Sequence, residues 1–520
     1  MNRFILLFFL LIGACSPLKP LSTLRIAFNA FPSTVDPRKT GDFVSSTLIC
    51  LIYDGLTRCL PDGSVEPAIA DRIEVSSDQT LYTFHLRPSI WSDGKPVTAY
   101  DFESSWKKII DPQFPSLCTY LFYPIKNAEA AAKGEKALSE VGIHAINKQT
   151  LQVELQQPCP YFLSLTAFPS FLPIPFNLAE QDLDQLDSIV GNGPFRIEQM
   201  TINSNIYLVK NENFWNRDQI QLDAIYIHIL FDETTALQMF ERNELDWLGG
   251  PFSPLPLDAF EDVQKKENLS IFPMAATTFC SFNTNFFPLN CTKLRKALSL
   301  AINRVEIAEK ITQMGNSTAT RCIPPTLMGG KDKILYPAYD PAKARILLQE
   351  ALQELQFQTI PPLKLSFRNR TIEKQVAQAL QKQWQETLGL KIQLLEMEVK
   401  THQTHLHNRT YEIALCNWIA QYSDPINILE RFREKDNPKN YPAWESISFI
   451  QLLEQATAAK FPEARLQCLE KAEALLAQEM PLSPIYHWGN LSLSSKRLKN
   501  MQITPNGGVL FERCWISEEF

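Results

Sequence analysis

The chain has 520 residues, 45% hydrophobic and 21% charged, with 50 lysines and arginines against 57 aspartates and glutamates for a net charge of −7. These are globular values, and the length is enough for two or three domains. The mild acidic balance argues against a nucleic-acid partner, and beyond Ile12 no apolar run is long enough to span a bilayer.

Asn2 and Arg3 give the chain a positive start, and Phe4 to Ile12 are uninterruptedly apolar. That stretch is too short for a transmembrane helix, which needs about 20 residues, and reads as the core of a signal peptide. It closes on Leu11-Ile12-Gly13-Ala14-Cys15, which resembles a bacterial lipobox. The resemblance implies a signal peptide over 1–14, acylation of Cys15 (palmitate among the chains) and a tether over 15–21. An ordinary signal peptide with an incidental cysteine is the plainer alternative. Of 11 cysteines, the ten beyond Cys15 are scattered without a CxxC pair, so neither a zinc site nor a redox motif is indicated. Export permits disulfides; their pairing is left open, and several of these cysteines read as small buried hydrophobes.

In chain order, Leu24 to Phe28 reads as a strand, and Asp62-Gly63 marks a hairpin. Tyr82, Phe84 and Leu86 alternate with Thr83, His85 and Arg87, the period of a half-buried strand. Ser92-Asp93-Gly94 follows as a turn. Thr98 and Asp101 form a capping box, which predicts a helix start. Phe102, Trp106, Ile109 and Ile110 share one face of that helix, and Asp111-Pro112 ends it. The proline-rich Phe168 to Phe176 reads as a crossover. Ile225 to Ile229 is a predicted strand and Thr235 to Asn243 a predicted helix. Ile372, Val376, Ala379, Leu380 and Leu388 line one face of a long helix with Gly389 as its cap. A strand over Lys391 to Val399 and two helices over 446–459 and 462–479 complete the pattern.

The wording of these segments is more specific than their periodicity. Tyr82 to Trp106, YTFHLRPSIWSDGKPVTAYDFESSW, closely resembles a diagnostic segment of the peptide/nickel class of extracytoplasmic solute-binding proteins, the capture subunits of ABC importers. Val35-Asp36-Pro37, Tyr53-Asp54-Gly55-Leu56, Gly191 to Phe195, Asn211 to Trp215 and Glu244-Leu245-Asp246 resemble further family motifs in the family's order. So do Phe282-Asn283-Thr284, the run from Leu294 to Arg304, and Pro484-Ile485-Tyr486. The resemblance implies an α/β, two-lobed periplasmic-binding-protein fold with hinged lobes and an additional inserted α/β domain. Lobe I would comprise 22–53, 173–278 and 486–520, the inserted domain 54–172, and lobe II 279–485. It further implies a monomer, lipid-anchored on the periplasmic or extracytoplasmic face. This monomer would capture a peptide ligand by lobe closure and hand it to ABC transporter permease subunits, with no cofactor and no catalysis. In that layout Trp91 and Asp93 belong to the inserted domain and hold the fold rather than the ligand.

The segment Leu415 to Pro425, LCNWIAQYSDP, resembles the family's ligand loop, with Trp418, Ala420 and Tyr422 in place. The resemblance makes Trp418 and Tyr422 ligand contacts; core packing and a surface loop are their plainer readings. Gln421 stands where peptide-binding relatives place the aspartate that pairs with the peptide ammonium, and a neutral amide is a much weaker partner for a buried cation. Asp424 is a substitute carboxylate or the cap of the turn before Pro425. Leu415 stands where some relatives carry an arginine for the ligand carboxylate. Asp42 lies near an acidic residue that some relatives use, or is a solvated loop carboxylate. These departures suggest altered ligand chemistry. A modified or cell-wall-derived peptide is one reading, and a non-peptide ligand such as a metal chelate or haem is the alternative.

Two further patterns are weighed against this. His402, His405 and His407 form the one histidine cluster; it reads as polar surface rather than as a metal site, since cysteine and carboxylate partners are missing from the pattern. Ser105-Trp106-Lys107-Lys108 and Lys39-Thr40-Gly41 have the SxxK and KTG form of penicillin-binding enzymes. They stand in reversed order with no SDN between them, so serine acyl transfer is the weaker reading.

Overall fold

The computed structural model describes residues 22–185, 189–330, 333–459 and 461–517. The signal peptide, Cys15 and the tether expected over 15–21 lie outside the described residues. Among the described residues no helix is long and apolar enough to cross a membrane.

Three sheets organise the chain. The first has four strands. Thr23–Phe28 runs parallel to Ala224–Ile229, which continues antiparallel into Asn205–Lys210 and Phe195–Thr201. The second has seven strands, with Trp247–Gly249, Leu482–Ser494, Leu269–Phe282, Ile413–Ile419, Leu363–Arg368 and Ile392–Met397 side by side and Ser317–Thr318 on Leu482–Ser494. The third is an antiparallel meander of Ala70–Val75, Leu81–Leu86, Thr150–Glu154 and Ile143–Asn147 within the inserted segment. The two long strands Leu269–Phe282 and Leu482–Ser494 pair with each other along most of their length. The boundaries expected at 278/279 and 485/486 fall inside these strands rather than in loops. Register shifts at Pro273/Thr277 and Thr278/Phe279 bend the ribbon there, as bulges do.

The inserted segment follows its sequence closely. Tyr82, Phe84 and Leu86 point inward at 5%, 0% and 5% exposure. Gly94 takes φ +87° in the turn, a value that only glycine adopts freely. At the start of helix Ala99–Ile110 the Asp101 carboxylate reaches back as the capping box expects, accepting from the Thr98 N–H at 2.6 Å and the Thr98 hydroxyl at 2.9 Å. Its face of Phe102, Trp106, Ile109 and Ile110 is wholly buried. Trp106 donates through Nε1 to the Phe171 carbonyl at 2.8 Å, which ties the helix to the proline-rich crossover. Trp91 is buried, and Asp93 pairs with Lys95 at 2.7 Å.

Several of the family-like motifs are junctions. Asn192 Oδ1 accepts from the Asp54 N–H at 2.9 Å and its Nδ2 donates to the Asp54 carbonyl at 3.0 Å. At Gly193 a Cβ would lie 2.6 Å from the Ile52–Tyr53 backbone, so glycine is required where these chains touch. Buried Asp246 accepts from the backbone N–H and guanidinium of Arg25 at 2.9–3.0 Å, fastening the first strand. Buried Arg304 donates to the Pro484 carbonyl at 2.7 Å and to the Ser299 and Ser483 hydroxyls at 2.8 and 2.9 Å. In the long helix Thr371–Leu388, Val376, Ala377, Leu380 and Trp384 form the buried face while Ala379 is half-buried. The inward stripe is therefore turned slightly from the expected one, because Trp384 Nε1 reaches the Leu298 carbonyl at 2.9 Å. Gly389 caps it with φ +69°. All ten described cysteines are free.

Candidate ligand-binding site

A cavity of about 460 Å³ is lined by residues from four stretches of the chain, 40–65, 118–194, 417–441 and 504–512. One wall is built from Thr40 to Tyr53, which includes the first turn of helix Phe43–Ile52, and from Thr504 to Glu512. The inserted segment contributes Asp54, Arg58, Gly63 and the Ser164–Leu172 stretch. The facing wall is Asn417 to Ser423 with Arg431, Lys439 and Tyr441.

Strand Ile413–Ile419 places the ligand loop. It pairs with Leu269–Phe282 in the register Trp418 to Thr277 and Leu415 to Cys280, and the Ala420 N–H donates to the Ala275 carbonyl at 2.8 Å.

 Trp418 is 3% exposed and packs against Phe279, with ring centroids 4.1 Å apart, and edge-on to Phe432 at 5.3 Å. The Arg431 guanidinium lies 5.0 Å over its ring. Trp418 thus has both expected features, a packed body and a place on the cavity wall, and its buried Nε1 has no hydrogen-bond partner. Tyr422 is stacked on Tyr161 of the inserted segment at 4.7 Å and 7°, and burial pushes its phenol upward. It is an interior residue rather than a surface loop residue, and it bridges the two walls.

Gln421 lines the cavity with its backbone secured: its N–H donates to Asn427 Oδ1 at 3.2 Å and its carbonyl accepts from Asn506 Nδ2 at 3.0 Å. Its side chain bonds the Tyr120 hydroxyl. Asp42 also lines the cavity, but its carboxylate is engaged as the N-cap of helix Phe43–Ile52. It accepts from the Ser45 N–H at 2.8 Å and from the Ser45 and Ser33 hydroxyls at 2.9 and 2.7 Å. Of the five expected contacts, Asp424 alone is not brought to the cavity. Both its oxygens accept from Arg465 at 2.8 Å, and Oδ1 also accepts from the Ile426 N–H at 2.9 Å. The turn-capping alternative describes it: a carboxylate taken by a bidentate guanidinium is no substitute anchor for a ligand ammonium.

The carboxylates and cations of the lining are distributed unevenly. Asp54 pairs with Arg58 at 2.7 Å and accepts from Trp215 Nε1 at 2.7 Å. Burial pushes the Glu512 carboxyl up, against the pull of Arg58. On the facing wall Arg431 donates through Nε to the Asn427 carbonyl at 3.2 Å. Lys439 Nζ lies 3.8 Å over the Tyr120 ring. Burial, reinforced by Arg431, pushes its ammonium down to about 8. Arg431, Lys439 and Asn506 of the lining, and Tyr120 and Tyr161 in contact with it, were not legible in the sequence, since nothing in their local spacing marks them.

Leu415 is buried and lines a smaller cavity of about 220 Å³ with Arg368, His402 and Tyr441. Arg368 there is paired with Glu373. The histidine cluster is not simply polar surface: His402 is 2% exposed, its Nε2 lacks a partner, and burial pushes its ring down to about 4. His405 bonds the Thr410 hydroxyl at 2.6 Å and His407 is exposed. Among the described residues no three histidines, cysteines or carboxylates are grouped to hold a metal. Ser105 is buried with its hydroxyl accepting from the Ile174 N–H at 2.8 Å, and Lys108 is paired with Glu180 at 2.8 Å. The SxxK match is therefore part of a packed helix and not a nucleophile–base pair.

Comparison with known proteins agrees with this architecture. The oligopeptide-binding protein OppA of Bacillus subtilis (strain 168) is 34% identical over 507 residues, covering 96% of this chain and 93% of the relative. The solved structure of the Escherichia coli murein tripeptide binding protein MppA superposes with a TM-score of 0.79 at 24% identity, covering 96% of this chain and 99% of that one. Haemophilus influenzae OppA in complex with RPPGFSPFR superposes with a TM-score of 0.78 at 24% identity, covering 96% and 99%. At such identities these two likenesses bear on the fold, which is the two-lobed one. The family model for bacterial extracellular solute-binding proteins, family 5, matches residues 64–440. The chain belongs to the family 5 bacterial extracellular solute-binding proteins.

Proposed function

We propose that the protein captures oligopeptides, modified or cell-wall-derived ones among them, between its two lobes and delivers them to an ABC permease. The observation that carries this reading is the cavity itself. It is bounded by Trp418, Gln421 and Tyr422 on one wall and by the capped start of helix Phe43–Ile52 on the other. Its volume of about 460 Å³ lies within the usual range of small-ligand sites, about 300–1,000 Å³. Relatives such as the Bacillus subtilis protein are called oligopeptide-binding. The family consists of binding proteins, not enzymes. Lobe closure would supply the difference in contacts between empty and loaded states that selective release requires. Acylation of Cys15 would hold a monomer on the extracytoplasmic face, since two or more acyl chains anchor firmly where one is marginal.

Mass spectrometry of ligand released by denaturing the purified protein tests the ligand class. Peptides are expected; a haem or a metal chelate without peptides would replace this reading with the non-peptide one. Cys15→Ser is expected to move the protein from membrane to soluble fractions, and unchanged membrane association would refute the lipid anchor.

A further inference from the structure

The two walls of the cavity differ in how far their charges are satisfied. Asp42 and Asp54 are held by Ser33, Ser45, Arg58 and Trp215. Opposite them, Arg431 and Lys439 have no carboxylate partner among the described residues. The only hydrogen bond of the Arg431 side chain there runs from Nε to a backbone carbonyl, which leaves both terminal nitrogens of the guanidinium free. The ionisable groups acting on it are Tyr441, Tyr120 and Tyr422, and those acting on Lys439 are Arg431 and Cys118. Glu430, next in sequence to Arg431, is turned away and pairs with Arg433. The exposed Asp436 faces Arg409. Beside the two cations, the buried Nε1 of Trp418 is a third donor without an acceptor. Buried donors are normally paired, and cations more stringently so. A corner that holds two cations and an orphan N–H, with neutral acceptors around them but no carboxylate among the described residues, is complementary to an anion.

We propose that Arg431 and Lys439 form an anion subsite on the lobe II wall, which receives a carboxylate of the captured ligand. This deepens the peptide-capture reading and rests on it. The Arg431 guanidinium lies over the Trp418 ring, and its two free nitrogens have the planar fork that bidentate carboxylate recognition uses. Lys439 adds a point charge without directional demand. The arrangement also gives meaning to Gln421. With no carboxylate at that position, nothing on this wall competes with the ligand anion for the two cations. The polarity of the wall is then set for a negative group rather than for an ammonium.

Two sources of the carboxylate are possible, an acidic side chain or the peptide C-terminus, and four probes separate them: Ala-Glu-Ala, Ala-Gln-Ala and the C-terminal amide of each. They are titrated calorimetrically into full-length protein freed of co-purified ligand. The wild type is expected to prefer the charged member of one pair at least about tenfold, the size expected of a charge-assisted hydrogen bond. A preference for Glu over Gln assigns the side chain, and a preference for acid over amide assigns the terminus. R431Q and K439Q should each reduce that preference, and R431K should retain part of it, with thermal melts confirming that each variant is folded. Equal binding of charged and uncharged probes to the wild type would overturn the subsite while leaving peptide capture intact. If none of the four binds, peptide capture is what fails. The subsite is then decided by the ligand found in the purified protein, and it is overturned if that ligand carries no anionic group.

Discussion

The stretch Tyr82–Trp106 and the stretch Val399–Tyr441 are built on opposite principles. In the first, the apolar face of helix Ala99–Ile110 is wholly buried, the Asp101 carboxylate reaches back to Thr98, and Trp106 Nε1 has its carbonyl. In the second, His402 Nε2 and Trp418 Nε1 are buried without partners, and Arg431 and Lys439 stand without counter-ions among the described residues. Stability is complete in one place and withheld in the other. Unpaired groups are tolerated at functional sites because a ligand can complete them, and the well-packed parts of the fold supply the free energy that offsets their cost.

Four measurements can break or sharpen that contrast. The largest effect is expected from Trp106→Ala. It should destabilise the protein by about 3–5 kcal/mol in urea unfolding, and the protein that remains folded should bind ligand as before. Reduced affinity in the folded fraction would mean that the inserted segment is not merely structural.

Next comes His402. Its folded pKa of about 4 lies below the ordinary 6.5, so between those values the unfolded chain binds a proton that the folded chain does not. Stability therefore rises with pH through that window and is lost as pH falls from about 6.5 to about 4. With each unit worth about 1.4 kcal/mol, the loss is on the order of 3 kcal/mol. Comparing the pH dependence of unfolding for the wild type and His402→Gln checks this: the variant should show a shallower fall, and parallel curves would place the histidine in contact with solvent.

Trp418→Ala is expected to weaken ligand binding by about 2 kcal/mol, as for a central contact. An unchanged calorimetric affinity would return Trp418 to the packing role that its contacts with Phe279 and Phe432 already give it. The smallest effect is expected from Gln421→Asp. It should raise the affinity of free-amine over N-acetylated peptides by about tenfold, or about 1.4 kcal/mol. If the two peptides bind alike, the ligand ammonium is not held at this position.

Local chemistry was enough to write the first stretch. Alternation placed Tyr82, Phe84 and Leu86 inside, a positive-φ turn called for Gly94, and Thr98 with Asp101 announced the helix. These features depend on neighbours within a few residues, and the periods of strand and helix carry them directly. The long helix was equally legible in extent, but its inward stripe was turned by Trp384, whose partner carbonyl at Leu298 is 86 residues away. The ligand loop was legible as a place and not as a set of roles. Trp418, Gln421 and Asp42 do line the cavity, whereas Asp424 is claimed by Arg465, 41 residues further on.

By itself the sequence determined the kind of protein: its family, its strands and capped helices, and the loop where ligand chemistry is to be sought. The tertiary structure alone decided which charges are left over. Whether a carboxylate or a guanidinium is free to meet a ligand depends on whether another charged group comes within a few ångströms of it. Chain folding brings Arg465 to Asp424 and Arg58 to Asp54, and among the described residues it brings no carboxylate to Arg431. Such pairings join residues without a fixed spacing along the chain, so no period or motif records them.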